Sequence, residues 1–164
     1  TYMSPSSFTD DMLSYAMDKL RIISGFYGVL RPLDGIVPYR LEMESKININ
    51  GKGDLYSFWG KSLAEEVGRG ESLVVNLASE EYSKAVIPHL EKHMEVVTPL
   101  FLEEVDGSYV TKGVYAKMAR GEMVRFLSEN NVEDREGIKE FSVRGYRYDE
   151  ALSSSNKMAF VRKE

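Results

Sequence analysis

Val96-Val97-Thr98-Pro99-Leu100-Phe101-Leu102-Glu103-Glu104-Val105-Asp106-Gly107-Ser108-Tyr109-Val110-Thr111-Lys112-Gly113-Val114-Tyr115-Ala116-Lys117-Met118-Ala119-Arg120 changes its pattern part-way along, and that change decides the fold class. Residues 96–105 and 109–114 are rich in β-branched and aromatic side chains and flank Asp106-Gly107, a dipeptide suited to the positive φ values of a tight hairpin. From Tyr115 to Leu127 the period lengthens. Ala116, Ala119, Met123 and Leu127 then recur at helical spacing as a small, apolar packing face. A hairpin running into a helix predicts α+β or mixed α/β architecture.

The rest of the chain agrees with that class. Thr9-Asp10-Asp11 followed by Met12, Leu13, Ala16, Met17 and Leu20 predicts a capped amphipathic helix with acids in its first turn. Ile22-Ile23 predicts a short buried strand, and Leu41 to Ile49 extended structure ending at Asn50-Gly51-Lys52-Gly53. Asp54 predicts the cap of one helix through Val67, with Leu55, Phe58, Trp59 and Leu63 in the core and Gly68 and Gly70 as its stop. Leu73-Val74-Val75-Asn76-Leu77 has the continuous apolar character of a strand buried on both faces. A short helix capped by Ser79 should follow, ended near Pro88, and residues 146–148 and 159–161 should pair around Ser153-Ser154-Ser155-Asn156. Elements alternate without a strict β-α-β rhythm, and no long linker or repeat divides residues 1–164, so a single domain is expected.

Composition narrows the chemistry. With no cysteine in 164 residues, disulfides, thiolate metal sites and cysteine nucleophiles are excluded. No apolar run approaches the ~20 residues of a membrane span and no signal-peptide pattern is present, so a cytoplasmic location without membrane partners is expected. The net charge of −5 is unevenly spread. Residues 21–41 carry Arg21, Arg31 and Arg40 against Asp34, and residues 107–125 carry Lys112, Lys117, Arg120 and Arg125 against Glu122. Two basic segments on an acidic chain are what an anion-binding cleft requires, and ordinary fluctuation in a chain that is 29% charged gives the same pattern.

The first of these segments holds Ser24-Gly25-Phe26-Tyr27-Gly28-Val29-Leu30-Arg31-Pro32-Leu33-Asp34-Gly35-Ile36-Val37-Pro38-Tyr39-Arg40-Leu41-Glu42-Met43. Its glycines and prolines shape the backbone, and Arg31, Asp34, Tyr39, Arg40 and Glu42 are costly to bury unless paired or facing a ligand. Two readings stand: a shaped polar site, or an internally paired network that clamps an irregular loop. In the second segment Lys117, Arg120, Gly121 and Val124 share one helical face. Gly121 costs a helix about 1 kcal/mol relative to alanine, which points to a close approach to its backbone. A phosphate fits, with Lys117 as a point charge and Arg120 as a bidentate donor, and so does tight packing at the glycine; Arg31, Arg40, Lys117, Arg120 and Arg125 are the candidate nucleic-acid or phosphate-binding residues.

Asn76, Lys84 and Tyr115 are further candidate cleft-wall residues beside Asp34, Tyr39 and Glu42. Glu80 and Glu81 occupy the first turn after Ser79, which favours capping there over phosphate binding. His89 and His93, the only histidines, have i,i+4 spacing but no third ligand and no H-E-x-x-H arrangement, so no metal site and no cofactor are expected. There is no G-x-S-x-G elbow, P-loop or dinucleotide fingerprint, and no reaction can be named. Tyr39, Tyr56, Tyr82, Tyr115 and Trp59 are candidates for base stacking or for the core.

Residues 24–43, with Leu55-Tyr56-Ser57-Phe58-Trp59-Gly60, Asn76-Leu77-Ala78-Ser79-Glu80-Glu81-Tyr82, Tyr115-Ala116-Lys117-Met118-Ala119-Arg120-Gly121 and the tail from Gly145-Tyr146 through Ser153-Ser154-Ser155-Asn156, resemble the bacterial peroxide stress resistance YaaA family. The resemblance runs from about Leu20 to the end and corresponds to the carboxy-terminal two-thirds of the family. It implies the larger part of a longer fold, without an amino-terminal strand and helical region that carries a helix-hairpin-helix element. It also implies a cytoplasmic protein of the hydrogen peroxide response that protects DNA and binds double-stranded DNA. Three readings follow: a DNA-associated stress protein whose basic cleft takes phosphate-bearing ligand, an enzyme acting on a small phosphorylated or nucleotide-like substrate in that cleft, or a scaffold inactive without the amino-terminal segment.

Overall fold

Residues 2–163 are described by the computed structural model. In chain order the elements are α1 (Asp10–Lys19), β1 (Ile22–Ser24), β2 (Gly28–Leu30), α2 (Leu55–Trp59), α3 (Ser62–Val67), β3 (Leu73–Val75), α4 (Glu80–Ser83), β4 (Glu95–Val105), β5 (Ser108–Val110), α5 (Gly113–Glu129), α6 (Arg135–Lys139), β6 (Arg147–Asp149) and β7 (Lys157–Arg162). This is the mixed α/β class expected. The elements fall into two compact units, Leu20–Val96 and residues 2–19 with 97–163.

In the unit of residues 20–96, β1 and β2 form an antiparallel hairpin with Ile22 opposite Leu30 and Ser24 opposite Gly28. The strand expected to be buried therefore has one open side, and Ile22 is exposed. No regular strand runs from Leu41 to Ile49. A single bridge joins Ile49 to Lys52 across Asn50 and Gly51, both at positive φ. Asp54 caps as expected, its Oδ1 accepting from Ser57 N at 2.7 Å. The helix it starts is interrupted: Gly60 at φ 52° separates α2 from α3. The break turns Phe58 out to solvent, leaves Trp59 half-buried, and keeps Leu55 and Leu63 in a core with Met43, Ala64, Ala85 and Val86. β3 is half-buried throughout rather than enclosed, beside Glu95 of β4, whose N donates to Ser72 O at 2.8 Å. Ser79 precedes α4 without a side-chain capping bond. Pro88 lies in a 3-10 turn that stops the helical stretch.

In the other unit, Asp106 and Gly107 turn β4 into β5 at φ 50° and 75°, the hairpin that sequence predicts. β4 also pairs in parallel with β7, Phe101 opposite Phe160 and Glu103 opposite Arg162, and β7 pairs antiparallel with β6. Strand β4 alternates, with Val97, Pro99, Phe101 and Glu103 inward, whereas Met158, Ala159, Phe160 and Val161 of β7 are all buried, as for a strand covered on both faces. α5 buries Ala116, Ala119, Met123 and Leu127 and packs against α1, so the expected apolar helix face is the observed one.

Candidate functional site

The 24–43 segment is built around Ser24. Its buried Oγ accepts from the amides of Phe26 at 3.2 Å and Tyr27 at 2.9 Å and shares a hydrogen bond with the Tyr39 hydroxyl, pinning the far end of the loop to the β1–β2 turn. Two glycines make room for this. A Cβ on Gly25 would lie 2.9 Å from Leu41 O, and Gly28, at φ 80°, lies against the Trp59 ring with its would-be Cβ 2.9 Å from Cη2. The Trp59 indole NH then donates to Gly25 O at 3.0 Å. Trp59 is thus a wall of the loop rather than a free stacking surface. Tyr56 is likewise committed, its hydroxyl donating to Glu81 O at 2.9 Å. Burial, followed by Glu44 and Glu81, raises its pKa, and burial followed by Glu81, Tyr39 and Glu42 raises that of Tyr82.

The charged residues of this segment divide by task. Asp34 Oδ2 accepts from the Arg31 backbone N at 2.8 Å, so the carboxylate closes a turn and leaves the guanidinium aside. That guanidinium is half-exposed and meets Glu66 only at 3.9 Å. Arg40 is exposed with no ion-pair or hydrogen-bond partner among the described residues. The clamping reading holds for Asp34 and the tyrosine hydroxyls. The two arginines remain turned to solvent. Of the outlying candidates, Glu42 is exposed, Lys84 is paired with Glu80 at 3.0 Å, and Asn76 Oδ1 accepts from Ala78 N at 3.2 Å as part of a local turn.

In the other unit, Lys117 and Arg120 lie on the same stretch of α5. Lys117 is exposed, and Arg120 is half-buried with neither ion pair nor hydrogen bond among the described residues; burial draws its pKa below the ordinary value. The close approach expected at Gly121 is made by the chain itself, since a Cβ there would lie 2.9 Å from Tyr2 Cβ and 3.2 Å from Met3 N. Arg125 is a tether, donating to Ser7 Oγ at 2.8 Å with its guanidinium 5.7 Å from the Phe8 ring centroid. Glu122, the one acid of residues 107–125, is bonded to Arg144, so it does not offset the cations beside it.

A second cluster escaped sequence reasoning. Glu103, 1% exposed, accepts from the Tyr146 hydroxyl and from Arg162 Nε at 2.7 Å. The Arg162 guanidinium lies 4.3 Å from the centroid of Tyr115, with Lys112 5.9 Å from the same ring. Tyr115 is therefore half of a cation–π pair. Burial, then the Glu103 carboxylate, pushes the Tyr146 phenol far above its usual range. For Arg162, burial pulls the pKa down, but Glu103 outweighs it and the net shift is upward. The signal was present in the alternation of β4, which puts Glu103 on the inward side with Val97 and Phe101.

His89 sits in the 3-10 turn at Ile87–His89 and His93 beyond it, 3.3 Å from Glu91, so the two histidines do not share a helical face.

The sequence profile described as peroxide stress protein YaaA matches residues 1–152. The chain belongs to the YaaA family. The match takes in the first residues as well, and so reaches further forward than the resemblance read from about Leu20. Relatives agree: a UPF0246 protein of Limosilactobacillus reuteri is 48% identical over 159 residues, covering 97% of this chain and 64% of its own length. UPF0246 proteins of Desulfitobacterium hafniense and Ligilactobacillus salivarius are 47% and 46% identical over 161 and 160 residues, each covering 98% of this chain. The chain thus spans 64% of the length of the first two of these relatives and 65% of the third. Within the YaaA family match lie all the candidate cations of both units; Arg162 of the buried cluster lies beyond residue 152.

Proposed function

We propose that this YaaA family chain contributes phosphate contacts to DNA in the response to peroxide, with Arg120 as the principal contact of one unit, beside Lys117 on the same helix, and Arg31 and Arg40 as contacts of the other unit. The carrying observation is Arg120: a half-buried guanidinium loses hydration, and no carboxylate or carbonyl among the described residues replaces it. A phosphate group supplies the missing acceptors in bidentate form. Arg125 contributes less, because Ser7 and Phe8 already hold it. Phosphate contacts carry no sequence information, and among the described residues no recognition helix or base-reading signature accompanies these cations, so binding by this chain is expected to be weak and indifferent to sequence.

A titration of labelled duplex DNA by fluorescence anisotropy at several salt concentrations tests this. Log affinity should fall linearly with log salt, and Arg120→Ala should flatten the slope by about 0.9, the loss of one phosphate contact. Salt-independent binding, or an unchanged slope in the variant, would overturn the assignment. Full competition by a mononucleotide at low concentration would favour a small phosphorylated substrate instead.

A further inference from the structure

We propose that Phe26 and Tyr39 form a stacking platform for unpaired nucleotides, so that the 24–43 segment takes single-stranded nucleic acid; the proposal rests on the phosphate-binding reading above and adds the bases to it. The two rings lie 5.3 Å apart between centroids at an interplanar angle of 31°, and Tyr27 abuts both edge-on, at 4.9 and 5.4 Å with angles of 81° and 80°. Phe26 is 55% and Tyr39 39% exposed. The open area is aromatic, since Phe26 has no polar side-chain atom and the Tyr39 hydroxyl is bonded to buried Ser24. Tyr27 is fixed as well, its hydroxyl accepting from Val37 N at 2.9 Å. A ligand therefore meets rings held in place from behind, which lose little side-chain freedom on binding.

Charge selects the occupant. Arg40 follows Tyr39 directly and has no partner among the described residues, and Arg31 is held only by the distant Glu66. Of the acids in the segment, Asp34 is turned onto the Arg31 amide, while Glu42 is exposed. Exposed aromatic faces on a segment that also carries two solvent-facing arginines suit a strand with splayed bases and a phosphodiester backbone. In a duplex the base faces are stacked on each other and closed to the rings. With both tyrosine hydroxyls engaged, no polar group on the platform reads base edges, and preference among sequences should be slight.

Binding of three fluorescent oligonucleotides of about 15 nucleotides tests it: a single strand, an abasic strand of equal charge, and a duplex. The intact strand should bind roughly tenfold tighter than the abasic one, and Phe26→Ala should erase most of that margin without changing the salt slope or duplex affinity. Phe26→Trp should keep it, and 2-aminopurine in the strand should be quenched on binding by the parent chain and not by Phe26→Ala. Equal affinity for intact and abasic strands, with the Arg120→Ala slope change still present, overturns the platform and leaves the phosphate reading standing. Absence of binding to all three overturns both. If Phe26→Ala instead abolishes self-association in sedimentation and leaves strand binding unchanged, the rings with Leu33, Ile36 and Val37 are a protein contact and the platform is refuted.

Discussion

Replacing Glu103 by glutamine keeps the shape of the buried cluster and removes its charge. The parent carboxylate is 1% exposed and takes two bonds, from the Tyr146 hydroxyl and from Arg162 Nε at 2.7 Å. Breaking a buried ion pair from one side costs about 3–5 kcal/mol, because the remaining charge is left uncompensated. Arg162 is 24% exposed at its side chain and can regain some water, which puts the expected loss at the lower end, about 3 kcal/mol. For a chain of this size that corresponds to a fall of about 6–12 °C in melting temperature. Urea unfolding followed by circular dichroism measures it, with the Glu103→Met, Arg162→Met double variant as control. The apolar pair should recover most of the loss, since neither charge is then stranded. A loss below about 1 kcal/mol in Glu103→Gln, or a double variant worse than the single, would refute the view that the cluster is a desolvated pair.

Tyr146 has its phenol pKa raised in the folded state, so its stabilising contribution is complete below the unfolded value near 10 and is lost as pH rises beyond it; Tyr146→Phe should show less alkaline destabilisation than the parent in unfolding curves across that range. Gly28→Ala should cost about 2–5 kcal/mol, from a positive φ and from contact with Trp59, and should shift Trp59 fluorescence; a spectrum and stability like the parent's would mean the ring is not seated there. Trp59→Ala should cost about 2–3 kcal/mol, less than for a fully enclosed indole, and a loss above 4 kcal/mol would show the ring to be core. Arg125→Ala should increase proteolytic cleavage near Ser7 and alter the DNA salt slope less than Arg120→Ala does.

Periodicity made α1, the β4–β5 hairpin and α5 legible, because each is long enough or has turn chemistry specific enough to outweigh tertiary context. The break at Gly60 was not legible. A glycine inside an otherwise helical pattern is usually tolerated, and only the backbone shows that it takes positive φ here. The same break explains why Phe58, placed with Trp59 on an apolar face, is exposed instead. The parallel pairing of β4 with β7 was also out of reach, since it joins strands more than fifty residues apart and leaves no local mark. Its consequence is chemical: register sets Glu103 opposite Arg162, and so a carboxylate that looks like one of many acids in sequence becomes the centre of a buried pair.

The basic α5 segment shows how a sound sequence inference can attach to the wrong atom. Gly121 did signal a close approach, and the approach is real, but the backbone of Tyr2 and Met3 occupies the space that a ligand would have used. Arg125, equally basic in sequence, is consumed by Ser7 and Phe8, and Lys117 is an exposed cation of ordinary kind. Elimination leaves Arg120, whose distinction is energetic: it alone of these three is partly desolvated without an acceptor among the described residues. The local positive charge of residues 107–125, not the net charge of −5, would supply long-range attraction to a polyanion. In the proposed role a desolvated guanidinium would add short-range bidentate contact, because a bound phosphate would restore hydrogen bonds that folding removed. Lysine at position 120 would keep the attraction and lose the fork, so Arg120→Lys should preserve most of the salt slope while lowering affinity at every salt concentration.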